Sequence, residues 1–211
     1  MLHKETVETA TLELLRNLQA EPLLAGFNLV GGTSLALRLG HRKSVDLDLF
    51  SSTPFDQDSV RVLLQKKYDM KVAFDRDQTI KGFIGNVMVD CIRYDYPHLC
   101  EPETIEGIRI ESLPDVIAME LAAISQDGTR LKDFIDIAYL SSFYSLDEML
   151  GFYEKKYPNS SKMMPAKGLT YFGDIDFEES IILMNNSFSW KAISKRLIDM
   201  ERHPNNVFNK L

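Results

Sequence analysis

Three aspartates carry the chemistry that this sequence offers. Asp46 and Asp48 form an Asp-x-Asp within Val45-Asp46-Leu47-Asp48-Leu49-Phe50, and Asp90 stands in Val87-Met88-Val89-Asp90-Cys91-Ile92. Side chains alternate along an extended chain. On such a segment Asp46 and Asp48 share one face, while Val45, Leu47 and Leu49 take the other. Two rises of ~3.3 Å put the two carboxylates ~6.6 Å apart along the strand. Like charges in a short apolar strand repel each other and resist burial. A divalent cation removes both problems, and an all-oxygen donor set suits Mg²⁺ or Mn²⁺. The plainer reading of Asp-x-Asp is an edge strand with a solvated acidic face. Asp90 shares its strand face with Met88 and Ile92; its plainer reading is a strand-end carboxylate paired with a Lys or Arg.

Upstream lies Gly31-Gly32-Thr33-Ser34, between a short apolar run and a helical one. Glycines there let backbone approach a phosphate, and a helix N-terminus offers free N–H groups and the positive end of a dipole. Thr33 and Ser34 add hydroxyls. A phosphate cradle and three carboxylates are the parts that two-metal phosphoryl chemistry needs. His41-Arg42-Lys43 precedes the acidic strand, and reads either as phosphate support or as a solvated basic loop. Lys132, Asp133 and Asp136 fall on one helix face by their spacing; outside any family context that is an ordinary solvated pair. Cys91 reads as a core thiol. His98 and Cys100 lack the further ligands a zinc site requires.

The elements that must position these residues follow from periodicity and punctuation. Helical spacing predicts a helix over 5–19. Phe27 to Val30 reads as a strand, Leu35 to Leu39 as a helix capped by Thr33 or Ser34 and closed by Gly40, and Val45 to Phe50 as the acidic strand. A helix over 56–68 precedes strands at 70–74, 79–84 and 87–94, with Gly85-Asn86 as a hairpin turn. Residues 107–111 read as an edge strand. After Pro114 the pattern turns helical: 115–125, 131–143, 146–155 and 190–201, with 157–165 as a loop. The fold class expected is α/β, a mixed sheet flanked by helices with a C-terminal helical part. The organisation expected is a core over 1–112 and a helical part over 113–211 packed on it.

Composition sets outer limits. The chain has 211 residues, 45% of them hydrophobic and 26% charged, as in ordinary globular chains. Two cysteines are too few for a disulfide framework. A net charge of −7 argues against nonspecific binding of duplex DNA over the whole surface. The start of the chain shows no apolar run of the signal-peptide kind, and the longest uncharged run is too short for a membrane span. A cytoplasmic protein with no membrane partner is expected.

The arrangement of Gly-Gly, helix, Asp-x-Asp strand and third Asp resembles the DNA polymerase β-type nucleotidyltransferase superfamily. Gly31 to Leu49, GGTSLALRLGHRKSVDLDL, is similar nearly throughout to the signature of the AbiEii/AbiGii-type nucleotidyltransferase-like toxins. The strand Val89-Asp90-Cys91-Ile92, the segment Pro114 to Met119, Lys132 to Asp136, and Gly168 to Asp174 resemble its later motifs. The resemblance implies a nucleotidyltransferase-like fold and transfer of a nucleoside monophosphate from an NTP to an RNA (a tRNA end among the candidates) or a protein. It implies metal ligation and catalysis by Asp46, Asp48 and Asp90. Nucleotide binding falls to Gly31, Gly32, Thr33, Ser34, Arg42, Lys132 and Asp133. A toxin of a bacterial toxin–antitoxin or phage-defence pair has a cognate antitoxin as partner. One position departs: the family carries a Lys where this chain has Glu120. A degenerate member that binds nucleotide or a partner without catalysis is therefore the alternative.

Overall fold

The computed structural model describes residues 1–184 and 189–211. The chain divides into two compact units, Met1–Glu111 and Ser112–Leu211.

The first unit is built on a mixed seven-stranded sheet. Its strands are β1 (Asn28–Val30), β2 (Leu47–Ser51), β3 (Lys71–Arg76), β4 (Thr79–Ile84), β5 (Val87–Arg93), β6 (Glu103–Ile105) and β7 (Ile108–Ile110), in the spatial order β3-β4-β5-β2-β1-β7-β6. β1 runs antiparallel to β2, whereas β2 runs parallel to β5 and β1 parallel to β7. Three helices belong to this unit: α1 (Thr9–Ala20), α2 (Gly31–Leu39) and α3 (Gln57–Tyr68). Their apolar faces meet the sheet in one core that includes Leu15, Leu18, Leu29, Leu37, Leu49 and Leu64. α3 begins where the Asp56 carboxylate accepts from the Ser59 backbone N–H at 3.1 Å, a side-chain cap for an otherwise orphan donor. The β4–β5 hairpin turns through Gly85-Asn86, so that Ile84 faces Val87.

The first unit departs from the periodicity at several places. Residues 4–6 form a separate 3₁₀ turn, and α1 begins only at Thr9; the turn is tied down by the Thr6 hydroxyl, which donates to the His3 carbonyl at 2.6 Å. α2 starts at Gly31, four residues early, with Val30 as its N-cap. Thr33 and Ser34 are therefore inside the helix and do not cap it. β2 starts at Leu47, which leaves Asp46 just outside the strand. β7 is an interior strand, because β6 pairs along its outer side, and Ile108 and Ile110 are accordingly both buried.

The second unit is helical: α4 (Leu113–Gln126), α5 (Leu131–Leu140), α6 (Leu146–Lys156), α7 (Met163–Gly168) and α8 (Trp190–Arg202). α7 opens within the stretch that periodicity leaves as a loop. Ser112 caps α4 by accepting from Asp115 N–H at 3.2 Å, and Ser145 and Glu148 form a reciprocal capping box at α6. Phe134, Phe172, Phe177 and Trp190 meet edge to face, with centroids 5.1–6.5 Å apart. Lys156 pairs with Asp115 at 2.5 Å, both deeply buried. No helix among the described residues is long and apolar enough to cross a membrane.

Candidate functional site

The acidic centre of the first unit is a row drawn across neighbouring strands. β2 and β5 are parallel neighbours in a register that sets Asp48 beside Asp90. Adjacent strands lie ~4.8 Å apart, so the two carboxylates leave the same sheet face side by side. On the other flank of β2, Val30 of β1 faces Asp48, and the chain then turns at Gly31 into α2. Gly31 takes φ +64°, and a Cβ there would lie 2.6 Å from Asp48 Oδ2. The glycine thus serves two ends. It reaches a left-handed conformation that costs other residues strain, and it leaves room for the Asp48 carboxylate against the backbone that opens α2.

Asp46 reaches this region by another route. It lies ahead of β2, half-buried, and its carbonyl accepts the Thr33 hydroxyl. That hydroxyl also hydrogen-bonds with Ser44 Oγ at 2.8 Å. The Ser34 hydroxyl donates back to the Gly31 carbonyl at 2.7 Å. Thr33 and Ser34 are both buried. The Thr33 hydroxyl ties α2 to the segment that enters the acidic strand, while that of Ser34 closes on the first residue of the helix itself. His41 and Arg42 are buried as well, and Arg42 Nη1 donates to the Lys43 carbonyl at 3.0 Å. The solvated-loop reading of this segment therefore applies to Lys43 alone, which is exposed.

Asp90 is buried to 4% side-chain exposure, and Lys81 of β4 binds its Oδ2 at 2.6 Å. The plain expectation of a cationic partner is thus met at one oxygen. The other, Oδ1, is buried and has no hydrogen-bond partner among the described residues. An unpartnered buried carboxylate oxygen is costly, and beside a second carboxylate it is a suitable donor for a hard divalent cation. Asp48 and Asp90 therefore fit Mg²⁺ or Mn²⁺ by donor chemistry. Lys81 escaped the motif reading, although the hairpin contains it. Ile84 faces Val87 across the Gly85-Asn86 turn, and counting outward by equal steps brings Lys81 opposite Asp90. Cys91, next along β5, is fully buried on the opposite face. Burial first, and the Asp90 charge second, push its thiol up to about 12, so it is an inert core group at neutral pH.

The remaining sequence-derived candidates lie in the second unit. Asp133 is buried at the start of α5 and takes Arg130 Nη2 at 3.1 Å. Lys132 pairs with Glu179 at 3.3 Å. Glu120 is buried on α4.

Comparison with known proteins gives a family model, a curated relative and several solved structures of similar fold. The family model described as "Nucleotidyl transferase AbiEii toxin, Type IV TA system" matches residues 13–86, a segment that holds Gly31, Gly32, Asp46 and Asp48 but not Asp90. An uncharacterized protein of Aquifex aeolicus, aq_aa25, is 33% identical over 154 residues, which cover 70% of this chain and 74% of the relative. Among solved structures, MenT4, the nucleotidyltransferase toxin Rv2826c of Mycobacterium tuberculosis H37Rv, is similar with a TM-score of 0.61 and 14% identity over 90% of this chain and 81% of its own. JHP933 from Helicobacter pylori is similar with a TM-score of 0.54 and 19% identity, over 94% and 93% of the two chains. At these identities the two structures speak for a shared fold.

Proposed function

The chain belongs to the AbiEii nucleotidyltransferase toxin family of type IV toxin–antitoxin systems, and from that premise we propose that it moves a nucleoside monophosphate from an NTP to an acceptor hydroxyl or phosphate. The observation that carries this reading is the register that sets Asp48 beside Asp90, with Asp48 packed on the Gly31 turn. Asp46, Asp48 and Asp90 would hold Mg²⁺ or Mn²⁺. When bound, such ions supply neutralisation of the triphosphate and a lowered pKa at the attacking oxygen. The protein's own part is positional. The opening turn of α2 presents backbone N–H groups and its positive dipole end toward phosphate oxygens. Thr33 holds that turn against the acidic segment, and the Ser34 hydroxyl braces it from within by bonding the Gly31 carbonyl. Arg42 in this unit is a nucleotide contact that the family pattern implies; the same pattern names Lys132 and Asp133 in the second unit. The acceptor is an RNA, with a tRNA end as one candidate, or a protein side chain. The partner is a cognate antitoxin, and the compartment is the cytoplasm.

The test is label transfer from each of the four α-³²P NTPs, with Mg²⁺, to total RNA and to total protein, using wild type and Asp48→Asn. Metal-dependent labelling of one acceptor class, lost in Asp48→Asn, is the expected result. NTP binding without any transfer would replace it with the reading of a non-catalytic nucleotide-binding member. Neither binding nor transfer would overturn both.

A further inference from the structure

The acidic row does not end at Asp90. In antiparallel pairing, residues directly opposite share a face, and Lys81 stands directly opposite Asp90. The face therefore reads Lys81, Asp90, Asp48 across β4, β5 and β2. Lys81 is 41% exposed, whereas the carboxylate it binds is 4% exposed. A long, flexible, half-solvated cation thus holds a buried, fixed anion by one oxygen, and the second oxygen is left without a partner. Directly opposed strand positions favour opposite charges, and the buried Asp90 carboxylate needs a counter-charge. A Lys on a surface-facing strand position would stand equally well in solvent. What the pair does is electrostatic. It offsets one of two adjacent carboxylate charges while no metal is there, and it sets a positive charge where a divalent cation would bind.

We propose that Lys81 is a tethered counter-ion that holds Asp90 in the metal-free protein and is driven off it when a divalent cation binds. This rests on the metal-dependent reading above. Before metal binds, Lys81 leaves the row with one net negative charge in place of two, and Asp90 tied to β4. A cation arriving at Asp90 Oδ1 repels the ammonium, and the flexible stem lets it swing into solvent. Metal affinity is thereby held below what the carboxylates alone would give. Occupancy then depends more on the added negative charge of a bound triphosphate.

Mn²⁺ titration by calorimetry or electron paramagnetic resonance, without nucleotide, tests this on wild type, Lys81→Gln, Lys81→Arg and Asp90→Asn. Lys81→Gln is expected to bind Mn²⁺ about 10-fold more tightly, as loss of a nearby unit charge at an intermediate dielectric allows. It should also melt several degrees lower in chelator, because Asp90 loses its counter-ion. Lys81→Arg keeps the charge and should stay within about 3-fold of wild type. A second readout needs no variant. Reductive methylation of wild type, followed by mass spectrometry, should show Lys81 modified faster with Mn²⁺ than in chelator. Unchanged or weaker Mn²⁺ affinity in Lys81→Gln overturns the proposal, as does methylation of Lys81 that Mn²⁺ leaves unchanged. Equal Mn²⁺ binding by wild type and Asp90→Asn would instead overturn the metal site itself.

Discussion

Gly31→Ala is the substitution whose consequences the geometry specifies most fully. Two costs add. A non-glycine residue at φ +64° costs ~1–2 kcal/mol of left-handed strain, offset by ~0.4–1 kcal/mol from a stiffer unfolded chain. The new Cβ would meet Asp48 Oδ2 at 2.6 Å, and forcing an atom into occupied space costs ~1–3 kcal/mol. The net expectation is a loss of ~2–4 kcal/mol. Gly85→Ala isolates the first cost, because Gly85 has φ +61° and open space where its Cβ would stand; its loss should be ~1 kcal/mol or less. Asp48→Ala removes the clashing oxygens. In that background Gly31→Ala should cost no more than Gly85→Ala does, a coupling of ~1–3 kcal/mol in a double-mutant cycle. Urea denaturation in chelator, followed by far-UV circular dichroism, is the assay. The only tryptophan, Trp190, lies in the other unit, so circular dichroism is followed in place of its fluorescence. Additive costs for Gly31→Ala and Asp48→Ala would refute the reasoning, since they would mean that the carboxylate does not rest on the glycine.

Three further outcomes follow from the same structure. Asp48→Asn should abolish metal-dependent transfer while costing under ~1 kcal/mol in chelator, because it removes one of two neighbouring like charges; a larger loss in urea denaturation would make Asp48 a structural partner. Of the two thiols, exposed Cys100 should react with Ellman's reagent at pH 8 within the mixing time, while Cys91, buried and with its thiol pushed up to about 12, should react only on unfolding; two fast equivalents would contradict its burial. Hydrogen bonds from Lys67 and Tyr68 hold the Glu21 carboxyl below its ordinary value of 4.5. Its stabilisation is then complete above that value and lost as pH falls through the lower folded one, so the destabilisation caused by Glu21→Gln should shrink as pH is lowered below 4.5 in thermal melts, and a pH-independent difference would exclude the charge as its source.

Most elements, and the carboxylates proposed for the chemistry, are legible along the chain because their signals are local. Alternation marks β4, the Gly85-Asn86 turn marks the hairpin, and Gly-Gly followed by Asp-x-Asp marks the segment that the family model also matches. Even the partner of Asp90 could be counted from that turn, because a two-residue hairpin forces its register. Element ends were less legible. α2 starts at Gly31 and β2 at Leu47 because the Thr33 hydroxyl, bound to the Asp46 carbonyl, ties the helix to the chain that enters the strand. That bond joins residues whose separation no periodicity records. The position of β7 inside the sheet was hidden for the same reason, since it depends on β1 from far upstream and on β6. Above all, Asp48 and Asp90 are neighbours only because β2 and β5 pair in parallel. A hairpin carries its register in its turn, but a parallel pair joined through a long crossover carries it in the packing of everything between. The residue types and the local phase of Asp48 and Asp90 belong to the sequence alone, whereas the placement of Asp46 outside β2, the pairing that sets Asp48 beside Asp90, and the bare oxygen left on Asp90 belong to the tertiary structure.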